Sequence, residues 1–316
     1  MKALVIGATG YVGSRIAGDL SAHGYETFGL ARSAKAAETL RKAGIKPVLG
    51  DANRLGELSG LIADFGIVVF TAMVPFDDET EIMRQLVSCL RTGQNLIFIS
   101  GSGVVSLDAR DGAWNDNTFA EDAAFPFPAL PTRRIRLGTE QLVRDSAERG
   151  LRAFVIRPPL IWGHGASIQI PQFFESARLT GAVCYLGQGL NLYSHVHVDD
   201  VATVTRLAVQ RGTPGAVYHA VAGEVNFKTI AEAVATVVGC PTRSLDYEEA
   251  CELWGAPWVD MGLAVNSRIR GPRARKDLGF APRHVDLVED IRSGSYFTAY
   301  TEGGRNAQAY SWSGHG

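Results

Sequence analysis

Cysteine is scarce in this chain of 316 residues, and its cysteines are scattered. The four are Cys89, Cys184, Cys240 and Cys251, and none forms a C-x-x-C pair. This spacing argues against a structural metal site and against a disulfide framework. We therefore expect unpaired thiols in a reducing, cytoplasmic compartment and no bound metal.

Long apolar runs and an excess of charge of one sign are also missing. No apolar stretch approaches the roughly 18–20 residues of a membrane span. The net charge is −2 at pH 7, so neither a membrane nor a nucleic acid is expected as a partner. Because Met1-Lys2 leads directly into a strand-like segment, no signal peptide is expected.

A glycine-rich turn is the most informative feature that is present. An apolar run over residues 2–6 ends in Gly7-Ala8-Thr9-Gly10-Tyr11-Val12-Gly13, and a helical pattern follows. This order is typical of a dinucleotide pyrophosphate site, because glycines allow a tight turn and the helix N-terminus attracts an anion. The alternative is a glycine-rich turn without a ligand. The predicted cofactor-binding residues here are Gly7, Thr9, Gly10, Tyr11, Val12 and Gly13.

Strand and helix patterns alternate through the first half of the chain. Apolar segments predict strands at residues 2–6, 26–31, 46–49, 67–70, 95–100 and 151–157. Helical patterns predict helices at residues 14–23, 34–43, 55–63, 78–91 and 133–149. Such alternation predicts an α/β fold, a Rossmann-type doubly wound parallel sheet with helices on both faces.

The pattern loosens after Pro158-Pro159. We therefore predict a dinucleotide-binding domain over residues 1–157 and a smaller, mixed, mainly substrate-binding lobe over residues 158–316. The chain near residues 196–222 is expected to return to the main sheet. Residues 103–131 are interpreted as an irregular excursion over the active-site mouth or a plain surface loop.

The end of the second predicted strand indicates which dinucleotide binds. An acidic residue there would favour NAD by accepting from a ribose hydroxyl, whereas a cation suits the 2′-phosphate of NADP. The sequence has Arg32 followed by Ser33, so NADP is predicted and NAD is the less favoured cofactor; an exposed arginine without a ligand is the alternative. Further predicted contacts are Asp51 to the adenine and Thr71, Ala72 and Met73 to the nicotinamide-side ribose.

Four motifs in order resemble one family. They are the glycine turn, Arg157-Pro158-Pro159-Leu160-Ile161-Trp162-Gly163, Val196-His197-Val198-Asp199-Asp200-Val201-Ala202 and the Leu278-Gly279-Phe280-Ala281-Pro282 stretch. Together they resemble the extended short-chain dehydrogenase/reductase family, also called the NAD-dependent epimerase/dehydratase family. The resemblance implies that Pro158 and Leu160 contact the nicotinamide end of the cofactor. It implies a structural role for His197 and Asp199-Asp200.

The sequence departs from the family at its chemical centre. The family's Tyr-x-x-x-Lys pair supplies a phenol for proton transfer and a lysine that holds the ribose. The resemblance aligns Glu140 with a family glutamate, which puts Arg136 at the lysine position and Thr132 at the tyrosine position. No tyrosine lies between Tyr25 and Tyr185, so no shift of the alignment along this helix restores the pair.

Other side chains are candidates for the missing role. The resemblance places Ser102 at the reacting oxygen and Ser100 nearer the cofactor. His164 follows the nicotinamide segment and titrates in a suitable range, although an exposed loop histidine is the simpler interpretation. Tyr193 and His195 precede the Val-His-Val-Asp-Asp segment and are further candidates. The predicted catalytic set is Ser102, Thr132, Arg136 and His164.

Three functions remain open at this point. The first is an NADP-dependent oxidoreductase acting on a carbonyl or activated alkene of a small molecule. The second is an epimerase, dehydratase or isomerase on the same scaffold, and the third is an NADP(H)-sensing protein without turnover. The oligomeric state is a monomer or a homodimer. Two sets of side chains could belong to a substrate site or only to the core or the surface: the aromatic residues Trp114, Phe125, Phe127 and Trp162, and the basic cluster Arg268, Arg270, Arg273 and Arg275.

Overall fold

The computed structural model describes residues 1–129 and 131–302, without the side chains of residues 131, 132 and 302. Fourteen strands occur in this part of the chain: β1 (Lys2–Ile6), β2 (Glu26–Ala31), β3 (Lys46–Leu49), β4 (Ile67–Phe70), β5 (Asn95–Ile99), β6 (Leu107–Asp108), β7 (Arg152–Arg157), β8 (Leu160–Trp162), β9 (Val183–Leu186), β10 (Leu192–His197), β11 (Val217–His219), β12 (Gly223–Asn226), β13 (Thr242–Leu245) and β14 (Val265–Asn266).

Thirteen helices connect these strands within the same residues: α1 (Tyr11–Ala22), α2 (Ala34–Lys42), α3 (Ser59–Ile62), α4 (Phe76–Cys89), α5 (Pro131–Asp145), α6 (Ile170–Thr180), α7 (Val198–Arg211), α8 (Phe227–Val238), α9 (Tyr247–Trp254), α10 (Ala256–Trp258), α11 (Pro272–Leu278), α12 (Leu287–Ser293) and α13 (Ser295–Phe297). None of them is both long and apolar enough to cross a membrane.

Seven strands form the main sheet in the order β11-β7-β5-β4-β1-β2-β3. Every neighbouring pair is parallel. Alternate side chains of each strand enter two apolar layers, one built with α1 and α7 and the other with α4 and α5. Burial on both faces explains the continuous apolar runs of the strands. The predicted α/β, doubly wound parallel fold is confirmed.

Helix limits differ from the sequence prediction by a few residues. Helix α1 begins at Tyr11, three residues earlier than predicted, because the glycine turn passes directly into the helix. The helix predicted over residues 55–63 is a 3₁₀ segment, Ala52–Leu58, followed by the short α3. Helix α5 ends at Asp145 and continues as a 3₁₀ turn to Arg149.

A second, smaller layer holds its own sheet and core. Strands β12, β10 and β8 form a mixed three-stranded sheet, packed on α6 and α8 through Phe173 and Phe227. Of the segment near residues 196–222, β11 joins the main sheet, whereas β10 belongs to this second sheet. The division into residues 1–157 and 158–316 stays a prediction, and the chain crosses between the two layers more than once.

Candidate active site

A cavity of about 260 Å³ opens at the carboxyl ends of the central parallel strands. Residues that directly follow β4, β5 and β7 form one side of it, and the second layer forms the other. Ligands bind at this edge in doubly wound sheets. Nine residues of the sequence-predicted site line it: Tyr11, Val12, Thr71, Ala72, Met73, Ser100, Ser102, Arg136 and Pro158.

The turn between β1 and α1 leaves no room for side chains at two glycines. Gly7 has a φ of +95°, and a Cβ there would lie 2.7 Å from Thr71 Oγ1. A Cβ on Gly13 would lie 2.1 Å from the Gly7 carbonyl oxygen. No side chain caps α1 at Gly10, which leaves the positive end of the helix dipole to an anion. The turn, which includes Thr9, thus combines closely packed backbone with an uncapped helix N-terminus.

Arg136 is held at the cavity wall between aromatic rings and a carboxylate. Its guanidinium lies 5.1 Å from the ring centre of Phe76 and 5.6 Å from that of Phe98. Its Nη2 donates to Glu79 Oε2 across 3.0 Å and to the Ile99 carbonyl oxygen across 3.4 Å. Its Nε is buried without a hydrogen-bond partner among the described residues. Its Nη1 also forms no hydrogen bond with a described residue, so the guanidinium keeps donors for a ligand in the cavity, which fits the predicted ribose contact.

Glu79 is a cavity residue that our sequence analysis missed. Its side chain is only 2% exposed, and its Oε1 has no hydrogen-bond partner in the part of the chain described. Burial raises the pKa of Glu79 to about 7, although the Arg136 charge opposes this. A signal was available, because Glu79 lies on the same face of α4 as Ile82 and Leu86. An acidic residue on an apolar helix face calls for a functional explanation.

Ser100 is oriented by a buried ion pair behind the cavity. Its hydroxyl donates to Glu140 Oε1 across 2.5 Å, and the same carboxylate accepts from Arg157 Nε and Nη2 at distances of 2.5 to 3.1 Å. Both ion-pair partners are nearly inaccessible. Glu140 thus faces β5 and β7. Arg136 lies one helical turn before Glu140 on the same side of α5, and it faces the cavity.

Ser102 lines the cavity and contacts a residue of the second layer. A hydrogen bond of 2.7 Å joins its Oγ to Ser267 Oγ, and both serines are buried. Tyr193 of β10 and Arg133 of α5 line the same space. Arg133 is buried and donates to the carbonyl oxygens of Gly103 and Met261. Proton-bearing groups from both layers therefore share one chamber.

The residues predicted to contact the adenosine half lie beyond the cavity. Arg32 follows β2, is exposed and forms no ion pair with a described residue. Ser33 caps α2 by accepting from the Ala36 amide across 3.2 Å. Asp51 is exposed and accepts from the Asn53 amide across 3.0 Å. Arg32 is thus open to a ligand, while Ser33 has a structural role as well.

His164 does not join Ser102 and Arg136, contrary to the prediction from the sequence. Its backbone is left-handed, with a φ of 54°, and its ring points outward to Asp199, with Nε2 2.8 Å from Oδ2. Leu160 is fully buried in the core of the second layer rather than at the cavity. Thr132 lies in the first turn of α5, and its side chain is outside the described part of the chain.

His195 is a buried residue with a structural role. It is buried, and its Nδ1 accepts from Trp162 Nε1 across 3.1 Å. Burial lowers the pKa of His195 to about 4, so the ring is neutral at physiological pH. His195 therefore stabilises the second layer and does not face the cavity, unlike its neighbour Tyr193.

The Val-His-Val-Asp-Asp segment builds structure. His197 Nδ1 accepts from the Asp199 amide at the start of α7. The buried Asp200 carboxylate accepts from the amides of Arg283 and His284 at 3.0 to 3.1 Å. These contacts tie the later part of the chain to α7, as the structural interpretation predicts. His164, His197 and Asp199 also lie close enough for a shared ion, but the His197 lone pair is already used in capping.

The other aromatic and basic candidates lie away from the cavity. Phe125 and Phe127 cluster with Phe119, Trp162 is in the core, and Trp114 is exposed. The aromatic lining comes instead from Tyr11, Phe76, Tyr193 and Trp258, of which Tyr11 and Tyr193 were considered from the sequence. Three of the four clustered arginines line a separate surface pocket: Arg268, Arg270 and Arg275. Arg268 and Arg273 are paired with Glu224 and Asp122, respectively.

Comparison with known proteins identifies relatives over almost the whole chain. The model of the NAD-dependent epimerase/dehydratase family matches residues 3–221. A protein of uncharacterised function from Schizosaccharomyces pombe is 30% identical over 308 residues, covering 94% of this chain and 100% of that protein. The 4-hydroxy-2-methyl-3-oxo-4-farnesyl-3,4-dihydroquinoline-1-oxide ketoreductase of Stigmatella aurantiaca is 27% identical over 229 residues, covering 69% of this chain and 67% of that enzyme.

Solved structures share the fold. The UDP-glucuronic acid 4-epimerase of Bacillus cereus, solved in complex with UDP-glucuronic acid and NAD, superposes with a TM-score of 0.74. The match covers 94% of this chain and 99% of that chain at 17% identity. At this identity the likeness concerns the fold, and the chemistry has to be argued from the residues of this chain.

Proposed function

This chain belongs to the NAD-dependent epimerase/dehydratase family, and from that membership we propose that it is an NADP-dependent oxidoreductase. It passes a hydride to or from a carbonyl or activated alkene of a small molecule whose body is largely apolar. The observation that carries this proposal is the cavity itself, in which the predicted nicotinamide-side residues and Ser102 face one chamber. The cofactor supplies the hydride, and the chain supplies binding, orientation and the proton.

The glycine turn and Arg136 support a dinucleotide. The turn holds the pyrophosphate, and the Arg136 guanidinium, which lines the cavity, meets a ribose hydroxyl. Arg32, exposed and unpaired within the described residues, supports NADP over NAD, because a guanidinium binds a phosphate with charge-assisted hydrogen bonds. The related epimerase was solved with NAD, so this preference depends on Arg32 in particular.

The cavity lining supports an apolar substrate. Beyond the serines and Tyr193 its walls are formed mainly by apolar side chains: Val104, Ile161, Ile168, Trp258 and Met261. Both lining arginines already bond to protein acceptors, and the basic cluster lies at another pocket. A diphosphate would therefore find no uncommitted cation among the described lining residues, whereas a ketone, as in the related ketoreductase, would need only a donor to its oxygen.

Titration of the purified protein with NADPH and NADH, followed by nicotinamide fluorescence, tests the proposal. We expect tight NADPH and weak NADH binding, and then oxidation of NADPH with members of a panel of apolar ketones and enones. Substrate conversion without net NADPH consumption would instead indicate an epimerase, dehydratase or isomerase. NADPH binding without any turnover would favour a sensing role, and binding of neither nucleotide would contradict the cofactor assignment.

A further inference from the structure

The position that carries the family's phenol is Thr132 here, so the proton must come from elsewhere. An aliphatic hydroxyl releases its proton far less readily than a phenol does. Helix α5 holds no tyrosine along its length. Two tyrosines from other elements line this chamber, Tyr11 and Tyr193. The Tyr11 hydroxyl donates to the Gly163 carbonyl oxygen across 2.9 Å, so Tyr193 is the better candidate.

Tyr193 is placed in the chamber by the second sheet. Its backbone pairs with Val225 of β12 on one side and forms a bridge to Ser267 on the other. Its ring packs against Phe227, with the ring centres 5.9 Å apart. The residue is 6% exposed and lines the cavity, and its hydroxyl forms no hydrogen bond with a described residue. The ring is fixed while the hydroxyl is left for a ligand.

A buried cation accompanies this phenol. Arg133 is 5% exposed and lines the same cavity. Burial lowers the pKa of Arg133, and interaction with the Tyr193 phenol opposes that effect. Hydrogen bonds to the Gly103 and Met261 carbonyl oxygens hold the guanidinium in place. The chamber thus holds a fixed positive charge on the same lining as the phenol.

Ser102 completes the arrangement. It hydrogen-bonds to Ser267, the residue that bridges to Tyr193. The serine and the phenol thus approach the chamber from the two layers at neighbouring points. Both residues line the cavity, so a carbonyl oxygen bound there has two candidate hydroxyl donors.

The geometry points to the Tyr193 hydroxyl as the group that exchanges a proton with the substrate oxygen, an inference that rests on the proposed function. In the direction of reduction, a hydride from the dihydronicotinamide reaches the carbonyl carbon and the carbonyl oxygen takes the Tyr193 proton. The carbonyl becomes an alcohol and the dihydronicotinamide is oxidised. The phenolate then recovers a proton from water. Arg133 is a positioning residue in this scheme.

Tyr193→Phe removes the hydroxyl and keeps the ring that packs on Phe227. We expect kcat to fall by about 10²–10⁴-fold, with NADPH affinity and thermal unfolding unchanged. Tyr185→Phe, on β9 of the same layer and outside the cavity lining, is the matched control and should retain the wild-type rate. Arg133→Met should depress kcat, whereas Arg133→Lys, which keeps the positive charge, should restore part of the rate.

The outcomes separate this inference from the function it rests on. If wild-type protein reduces a ketone and Tyr193→Phe keeps the wild-type kcat, Tyr193 is not the donor although the proposed function stands. If wild-type protein binds NADPH and reduces no ketone or enone, the proposed function fails and the donor assignment fails with it. A loss confined to Tyr193→Phe, with the Tyr185→Phe control active, supports both.

Discussion

Arg136 Nη2 donates to Glu79 Oε2 across 3.0 Å, and each partner keeps one buried atom without a hydrogen bond to a described residue. These atoms are Arg136 Nε and Glu79 Oε1, an unused donor and an unused acceptor at one wall of the cavity. Both atoms are shielded from solvent. The pair is therefore buried at the expense of two unmade hydrogen bonds, which marks this wall of the cavity as a polar site with a functional explanation.

Glu79→Gln should change how stability depends on pH. Burial raises the pKa of Glu79 from 4.5 to about 7, so the folded state holds this proton more tightly than the unfolded chain does. The resulting stabilisation is fully present below the unfolded pKa and is lost as the pH rises through the folded pKa. We expect wild type to lose up to about 3 kcal/mol of unfolding free energy relative to Glu79→Gln between about pH 4.5 and about pH 8. Urea unfolding measures this, and a pH-independent difference would contradict it.

Arg32→Glu should discriminate between the two nicotinamide dinucleotides. Loss of a charge-assisted contact to a 2′-phosphate should weaken NADPH binding by about 10–100-fold and leave NADH binding nearly unchanged. Fluorescence titration provides both affinities. Lys42→Glu, an exposed charge reversal at the far end of α2, controls for net charge. Equal weakening of NADPH and NADH binding would rule out the 2′-phosphate assignment.

Ser102→Ala should slow the chemical step. A hydroxyl that donates to a developing oxyanion contributes about 10²-fold to kcat, so turnover should fall by that order while NADPH affinity is retained. Ser106→Ala is the control, because Ser106 is also buried and its hydroxyl donates to the Gly103 carbonyl oxygen. An unchanged rate in Ser102→Ala would remove Ser102 from the mechanism.

Glu140→Ala should be strongly destabilising. It leaves Arg157 as a buried charge without its carboxylate and also frees Ser100. Removal of one partner of a buried pair costs about 3–5 kcal/mol of unfolding free energy, measured by chemical denaturation. Glu26→Gln breaks the exposed pair with Lys46 and should have a far smaller effect. Similar losses of unfolding free energy in both variants would show that burial of the ion pair does not determine the destabilisation.

Gly13→Ala and Gly18→Ala should have opposite effects on the stability of the protein, although both residues lie in α1. A Cβ at residue 13 would collide with the Gly7 carbonyl oxygen at 2.1 Å, whereas one at residue 18 has no atom within 4 Å. We expect Gly13→Ala to lower both the melting temperature and NADPH affinity. Gly18→Ala should stabilise the protein by about 0.5–1 kcal/mol. Thermal unfolding distinguishes them, and a tolerated Gly13→Ala would contradict the close packing of the turn.

The main sheet could be predicted because the sequence patterns that specify its strands are local. Each strand is a continuous apolar run next to a turn, and burial on both faces gives the same pattern at every repeat. The start of α1 was placed too late, because Tyr11, Val12 and Gly13 belong to the glycine turn and to the helix at once. The second layer was harder to predict, because its strands pair with distant segments such as β8 with β10.

The cofactor side of the cavity followed from motifs, whereas its substrate side did not. Ser102 and Ser267 form a hydrogen bond although 165 residues separate them in sequence. No sequence pattern in either segment predicts this contact. His164 was a candidate because of its chemistry and its place after a motif, but a left-handed backbone turns it to Asp199. Glu79 had a helical signal that could have been used. Tyr193 could be named but not ranked without knowing which face of β10 meets the cavity.

Pro158-Pro159 is the whole connection between β7 of the main sheet and β8 of the second, and both prolines line the cavity. Because proline fixes φ, this joint is stiff where the cofactor is expected to lie. We therefore expect the opposite wall to adapt to substrates of different shape. Three residues of that wall come from one short segment: Trp258, Met261 and Gly262. The residues proposed to hold the cofactor and the opposite wall of the cavity thus come from separate stretches of chain, so substitutions can alter one while the other stays constant.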